Sequence, residues 1–357
     1  MKNSAIFFIS ATSVLSIFLY NKYPSSVTPH SPPNNLITVY QDIVDNEPDY
    51  YISDPIVGMV HKPHAMREYD WPEHPNKKFQ SKTNNLGFRE DHDTEITKPT
   101  DVFRVLVTGD SHIDGVINNK ESFPNQLEFI MNSSSGKKNE IINAGAGYYS
   151  PRAYEAVIRK YSTLSPNLFI AVIYTGNDFL DTTHFLEMSE PVARPPDYYE
   201  RLEKAYALNS ALVGQTLNQF FYFKNFPDMR EKVINSIVES MANAAAQCTK
   251  IKSEFIVVML PTKLDAGQHN LDKITAAIAA LELDQSDFES NRQMSREICD
   301  QLHAQNIKCW NSQEALNDSK QEYFWEQDYH LNILGHKTLA NGFFKKYKSN
   351  LQKPSSE

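Results

Sequence analysis

Three stretches of this chain are apolar at nearly every position: "VFRVLVTG" (102–109), "NLFIAVIYTGND" (167–178) and "EFIVVMLP" (254–261). A strand with one wet face alternates apolar and polar side chains, whereas one without alternation is covered on both faces. Segments with helical signals separate them. "SFPNQLEFIMN" (122–132) starts at Ser122 with Pro124 in its first turn, and "SPRAYEAVIRKYS" (150–162) pairs Ser150 as N-cap with Pro151 at N1. Helical patterns recur over 231–250, 286–306 and 333–349, and "EIINAG" (140–145) and "IKCW" (307–310) read as short strands. Strand and helix therefore alternate from Asp101 onward. The expected fold class is α/β: a three-layer α/β/α sandwich with a mostly parallel central sheet.

The ends of the chain are different in kind. Lys2, an apolar run of 17 residues from Ser4 to Tyr20, and Lys22 suggest either an uncleaved membrane anchor or a cleaved signal peptide over 1–22. Both readings place the body outside the cytoplasm, periplasmic or extracellular. Residues 23–100 read as a Pro/Ser-rich spacer followed by an N-terminal extension. From Leu36 to Thr100 that extension suggests short strands and turns rather than long helices. The main domain is expected over 101–350. The Pro- and aromatic-rich stretch at about 182–228 is too long for a connection and is expected to be a lid or cap insertion.

Composition narrows the function. With 41% hydrophobic and 22% charged residues, the 357-residue chain can build a large core. A net charge of −9 disfavours a nucleic-acid partner. Cys248, Cys299 and Cys309 form no zinc-type cluster, and no metal or organic cofactor is implied. Cys299 and Cys309 are either bridged, in an oxidising compartment, or buried as free thiols.

In an open α/β sheet, ligands sit beyond the carboxyl ends of the strands. Those ends carry Gly109, Asp110, Ser111 and His112; Asn143, Gly145 and Gly147; Gly176, Asn177 and Asp178; and, before the last helix, Asp328, Tyr329 and His330. A serine hydroxyl becomes a nucleophile when a neighbouring base takes its proton, and a histidine has the pKa for that work. A carboxylate fixes the imidazole tautomer, and fixed N–H donors are needed where an oxyanion develops. His112 and His184 read as local hydrogen-bonders. His336 reads as a packing or capping residue.

"GDSH", "NAGAG", "GND" and "DYHLN", in this order, resemble the four signature blocks of the SGNH hydrolase superfamily, the GDSL-type esterases and lipases. "NNLGFRE" (84–90) and "HLNILGH" (330–336) are similar to membrane-anchored, extracytoplasmic bacterial members. The resemblance implies Ser111 as nucleophile, His330 as base and Asp328 as its acid. It implies the Ser111 N–H, the Gly147 N–H and the Asn177 side chain as oxyanion donors. Two features depart from the family pattern. The acid lies two residues before the histidine instead of three, with Glu326 and Gln327 nearby; residues two apart in an extended segment share a side, so the pair can still meet. The usual glycine of the second block falls at Tyr148, with Gly147 one place early.

The activity implied is a serine ester hydrolase working through an acyl-serine, removing short acyl groups, acetyl above all, from an extracytoplasmic glycan or a small ester. Transfer of the acyl group to a sugar hydroxyl and a non-catalytic, glycan-binding or assembly role are the alternatives.

Overall fold

The computed structural model describes residues 36–134, 138–267, 271–318 and 320–351; the expected anchor and the whole of the spacer lie outside them. Among the described residues no helix is long and apolar enough to cross a membrane.

Five strands form the central sheet: β5 (Val102–Thr108), β6 (Lys138–Asn143), β7 (Leu168–Tyr174), β8 (Glu254–Leu260) and β9 (Lys308–Asn311). All neighbours are parallel, in the order β6-β5-β7-β8-β9. Successive residues of β7 feed opposite layers. Leu168, Ile170, Val172 and Tyr174 pack with α2 (Phe123–Ser134) and α10 (Ile333–Leu351), while Phe169, Ala171 and Ile173 pack with α3 (Pro151–Lys160), α7 (Met229–Lys250) and α9 (Gln285–Ala304). Every β7 side chain is buried, which is why the strand carries no alternation. The expected three-layer α/β/α sandwich is the observed architecture. Its strand order reverses between β5 and β7, so their carboxyl ends diverge around a crevice.

The extension differs in part from its expected form. Two antiparallel hairpins are present, β1 (Tyr51–Asp54) with β2 (Gly58–His61) and β3 (Met66–Asp70) with β4 (Lys78–Lys82). Ahead of them stands a helix, α1 (Leu36–Asn46), where strands and turns are expected. The β-branched run Ile37-Thr38-Val39 favours a strand locally, but Leu36, Tyr40 and Ile43 sit four and three apart and bury one helical stripe. Gly58, at φ +93°, admits the helix: a Cβ there would lie 2.6 Å from the Leu36 carbonyl.

The stretch expected to be an insertion is helical. It comprises most of α4 (Asp178–Glu187), then α5 (Tyr198–Leu208) and α6 (Asn218–Asn225), the last reached through a π-turn at Val213–Leu217. Tyr198, Leu202, Leu212, Leu217 and Phe221 share an apolar cluster with Ile274 of α8 (Leu271–Ala280) and with Tyr329. Cys299 of α9 is disulfide-bonded to Cys309 of β9, and Cys248 is a buried free thiol.

Candidate active site

β5 runs into Gly109, where a Cβ would come 2.4 Å from the Ile113 side chain. The missing side chain lets one helical turn, Ser111–Asp114, fold back against the strand end. Asp110 caps that turn, its Oδ1 accepting from the His112 N–H at 2.9 Å. Ser111 thus opens the turn, half-buried, with its own N–H lacking an intrahelical acceptor.

His330 meets it from the other end of the chain. His330 Nε2 lies 2.8 Å from Ser111 Oγ, and His330 Nδ1 lies 2.7 Å from Asp328 Oδ2. Asp328 is 1% exposed, whereas the Glu326 side chain is exposed, so geometry selects Asp328 as the acid. The pair does not meet through an extended segment. A bridge between Phe324 and Leu331 pinches off the intervening loop, and Tyr329 takes φ +69° within it. That left-handed turn brings the Asp328 carboxylate onto both the ring and the backbone N–H of His330.

The second block is arranged differently from expectation. The Gly147 N–H donates to Asp114 Oδ2 at 3.0 Å, and so is not offered to an oxyanion. The next residue, Tyr148, takes φ +72°, the left-handed region that favours the glycine expected at this place. Its N–H donates to no backbone carbonyl among the described residues. Asn177 follows β7; its buried Oδ1 lacks a partner, and its side chain favours the charged form of the Asp110 carboxyl.

Burial opposes charge on His330, but the Asp328 carboxylate, with Asp110 and Asp114 behind it, holds its pKa above the usual histidine value. Burial pushes Asp110 up to about 6 and His112 well down. The His112 ring stacks on Tyr174 at 3.7 Å and lies 4.6 Å from His330. His336 caps α2, its Nδ1 accepting from the Phe123 N–H at 3.0 Å.

The extension supplies supports that the motifs do not reveal. Arg89, 1% exposed, pairs with Asp114 at 2.8 Å and donates to the Gly115 and Ile117 carbonyls, and His61 Nε2 lies 3.3 Å from Asp114. Burial alone would raise Asp114; His61 and Arg89 outweigh it and bring the carboxyl down to about 2. Glu73 accepts the Glu326 and Gln327 N–H groups at 2.5 and 3.1 Å, which fixes the start of the Asp328 loop. Arg89 stands in the "NNLGFRE" block, so one of these supports had a sequence signal. Glu73 and His61 had none.

No protein-family model matches the chain, and no curated protein matches it by sequence. Among solved structures it is similar to an acetylxylan esterase from Geobacillus stearothermophilus, at 12% identity and TM-score 0.42 over 70% of this chain and 94% of that one. It is likewise similar to TesA, at 10% and 0.40 over 69% and 99%, and to LAE5, an alpha/beta hydrolase enzyme from the metagenome of Lake Arreo, Spain, at 13% and 0.40 over 70% and 96%. Likenesses this distant do not bear on the chemistry, which is read from the side chains themselves.

Proposed function

We propose that this protein is a serine ester hydrolase acting through an acyl-serine at Ser111. The observation that carries the reading is the buried Asp328–His330–Ser111 chain of hydrogen bonds at 2.7 and 2.8 Å, set at the crevice where the strand order reverses. Ser111 Oγ attacks the ester carbonyl as His330 Nε2 takes its proton. The oxyanion is met by the Ser111 N–H, the Tyr148 N–H and the Asn177 side chain. Collapse expels the alcohol with the proton held on His330, and water then repeats the sequence on the acyl-serine. Asp328 holds the imidazole tautomer through its bond to Nδ1.

The substrate proposed is a short acyl ester, acetyl above all, on an extracytoplasmic glycan. A cavity of about 380 Å³ flanks the Asp328 loop and is lined by Tyr206, Asn209, Ser210, Glu326, Gln327 and Tyr329 among others. Two aromatic rings beside amide, hydroxyl and carboxylate groups support a sugar, with Ala207, Leu208 and Ala211 forming the apolar part of the wall. The Cys299–Cys309 bond fits an oxidising compartment, in keeping with an N-terminal anchor or signal over 1–22.

The test is fluorophosphonate labelling of the domain lacking residues 1–30, followed by acyl esters of increasing length and acetylated glycans. Labelling at Ser111 with activity highest on acetyl esters is expected. Absence of labelling would turn the reading to a binding role, and a preference for chains of about eight carbons or more would replace the glycan with a lipid. Net transfer to an added sugar would make the protein an acyltransferase.

A further inference from the structure

The insertion places one polar side chain inside the site. Gln215, 5% exposed, stands in the π-turn between α5 and α6, and both ends of its side chain reach histidines. Its Oε1 lies 3.2 Å from His112 Nε2, and its Nε2 lies 3.4 Å from His330 Nε2. The orientation of the amide is determined by its neighbours. His112 Nδ1 accepts from the Leu331 N–H, so the ring proton sits on Nε2 and points at the Gln215 carbonyl oxygen. The Gln215 amide hydrogens are thereby aimed at His330 Nε2, the atom that exchanges a proton with Ser111. The backbone is held as firmly. The Gln215 carbonyl accepts from the Tyr174 hydroxyl at 3.1 Å, and a Cβ on Gly176 would lie 2.1 Å from that carbonyl. The glycine of the "GND" block is therefore what allows the insertion to approach.

In the resting site, Gln215 shares the His330 Nε2 lone pair with Ser111. Once the serine proton has moved onto Nε2, that lone pair is gone and the amide N–H is left beside the reacting atoms. The oxygen that receives the proton from His330 then has two donors converging on it, His330 Nε2–H and Gln215 Nε2–H.

Resting on the ester-hydrolase reading, we infer that Gln215 hydrogen-bonds the alkoxy oxygen that leaves in acylation and the oxygen that attacks in deacylation. The C–OR bond breaks as the His330 proton passes to that oxygen, and Gln215 stabilises its partial charge without giving up a proton. In deacylation the same amide orients the incoming hydroxyl while His330 removes its proton.

This role depends on the leaving group. p-Nitrophenolate departs without help, whereas an alkoxide or sugar oxygen does not. Gln215→Met keeps the approximate shape and removes the donor. kcat/KM, which reads acylation, is measured for wild type and variant on p-nitrophenyl acetate, phenyl acetate and ethyl acetate. The loss on ethyl acetate is expected to exceed that on p-nitrophenyl acetate by about tenfold, the worth of one hydrogen bond to a charged oxygen. Retained fluorophosphonate labelling and an unchanged melting curve establish that the variant is folded; Gln215→Leu serves if Gln215→Met melts early. An equal loss on all three esters would assign Gln215 to support of His112 and overturn the inference, leaving the hydrolase reading intact. A wild-type protein that neither labels at Ser111 nor cleaves any of the three overturns both.

Discussion

Asp328→Asn removes one charge and almost nothing else. In the resting site the reactive form of His330 is the neutral ring, beside which Asp328 contributes chiefly a hydrogen bond. In the transition state His330 is an imidazolium whose Nδ1 faces Asp328 Oδ2, 2.7 Å away and shielded from water. Two unit charges with centres about 4 Å apart, at an effective dielectric near 20, attract by about 4 kcal/mol. Because this term exists only in the transition state, its loss should appear in kcat as a fall of about 10³-fold. The pH profile should move as well. kcat/KM requires neutral His330, so in the wild type it rises with pH through a midpoint above the usual histidine value. Without the Asp328 charge, burial favours the neutral ring against only Asp110 and Asp114, and the midpoint should move to lower pH while the plateau drops. Initial rates on p-nitrophenyl acetate from about pH 4 to 9 measure both quantities. Glu326→Gln is the control; its exposed side chain should leave kcat nearly unchanged. A plateau within tenfold of wild type, or a midpoint that rises, would refute the assignment of Asp328.

Ser111→Ala should abolish turnover while leaving the melting temperature nearly unchanged, since a half-buried hydroxyl at a strand end packs little; retention of a tenth of wild-type kcat removes Ser111 as nucleophile. Asn177→Ala should lower kcat by about 10²-fold with KM similar, and an effect confined to KM would make Asn177 a ground-state contact. Asp114 has a folded pKa of about 2, below its unfolded value near 3.8, so its ionisation contributes about 2 kcal/mol that is fully present above the unfolded pKa and lost as pH falls through the folded one. Chemical denaturation should therefore show Asp114→Asn destabilised at pH 7, with the gap to wild type narrowing from pH 4 to pH 2; a gap independent of pH removes the charge as its cause. Cys299→Ser with Cys309→Ser opens a bond spanning 10 residues, worth about 2.7 kcal/mol in the chain-entropy account, and should lower Tm by roughly 5 °C, with an unchanged Tm contradicting that account.

The layered α/β architecture was legible because the three central strands are apolar at nearly every position, and two covered faces leave few other arrangements. The sites of Ser111, His330 and Asp328 were legible for a related reason. Short polar blocks at strand ends stand out against apolar runs, and the topology of a parallel sheet gathers those ends on one edge. Register and backbone direction were not legible. Asp114 takes the Gly147 N–H because β5 and β6 end side by side and the Ser111–Asp114 turn folds between them, a relation among segments some thirty residues apart. The left-handed turns at Tyr148 and Tyr329 fall on residues that do not favour them, so local propensity gave no sign of either. α1 shows the same override, with burial of Leu36, Tyr40 and Ile43 outweighing a β-branched run. The contributions of Glu73, Arg89 and Gln215 also arise only in three dimensions. Glu73 and Gln215 come from outside the motif blocks, Arg89 from the "NNLGFRE" block, and each acts through hydrogen bonds or ion pairs whose partners are fixed by packing. The sequence alone thus determined the layers and the serine and histidine that the structure brings together, through hydrophobic pattern and residue chemistry. Which N–H, which acid and which supporting side chain face the serine was decided by tertiary structure, because those are distances between distant segments.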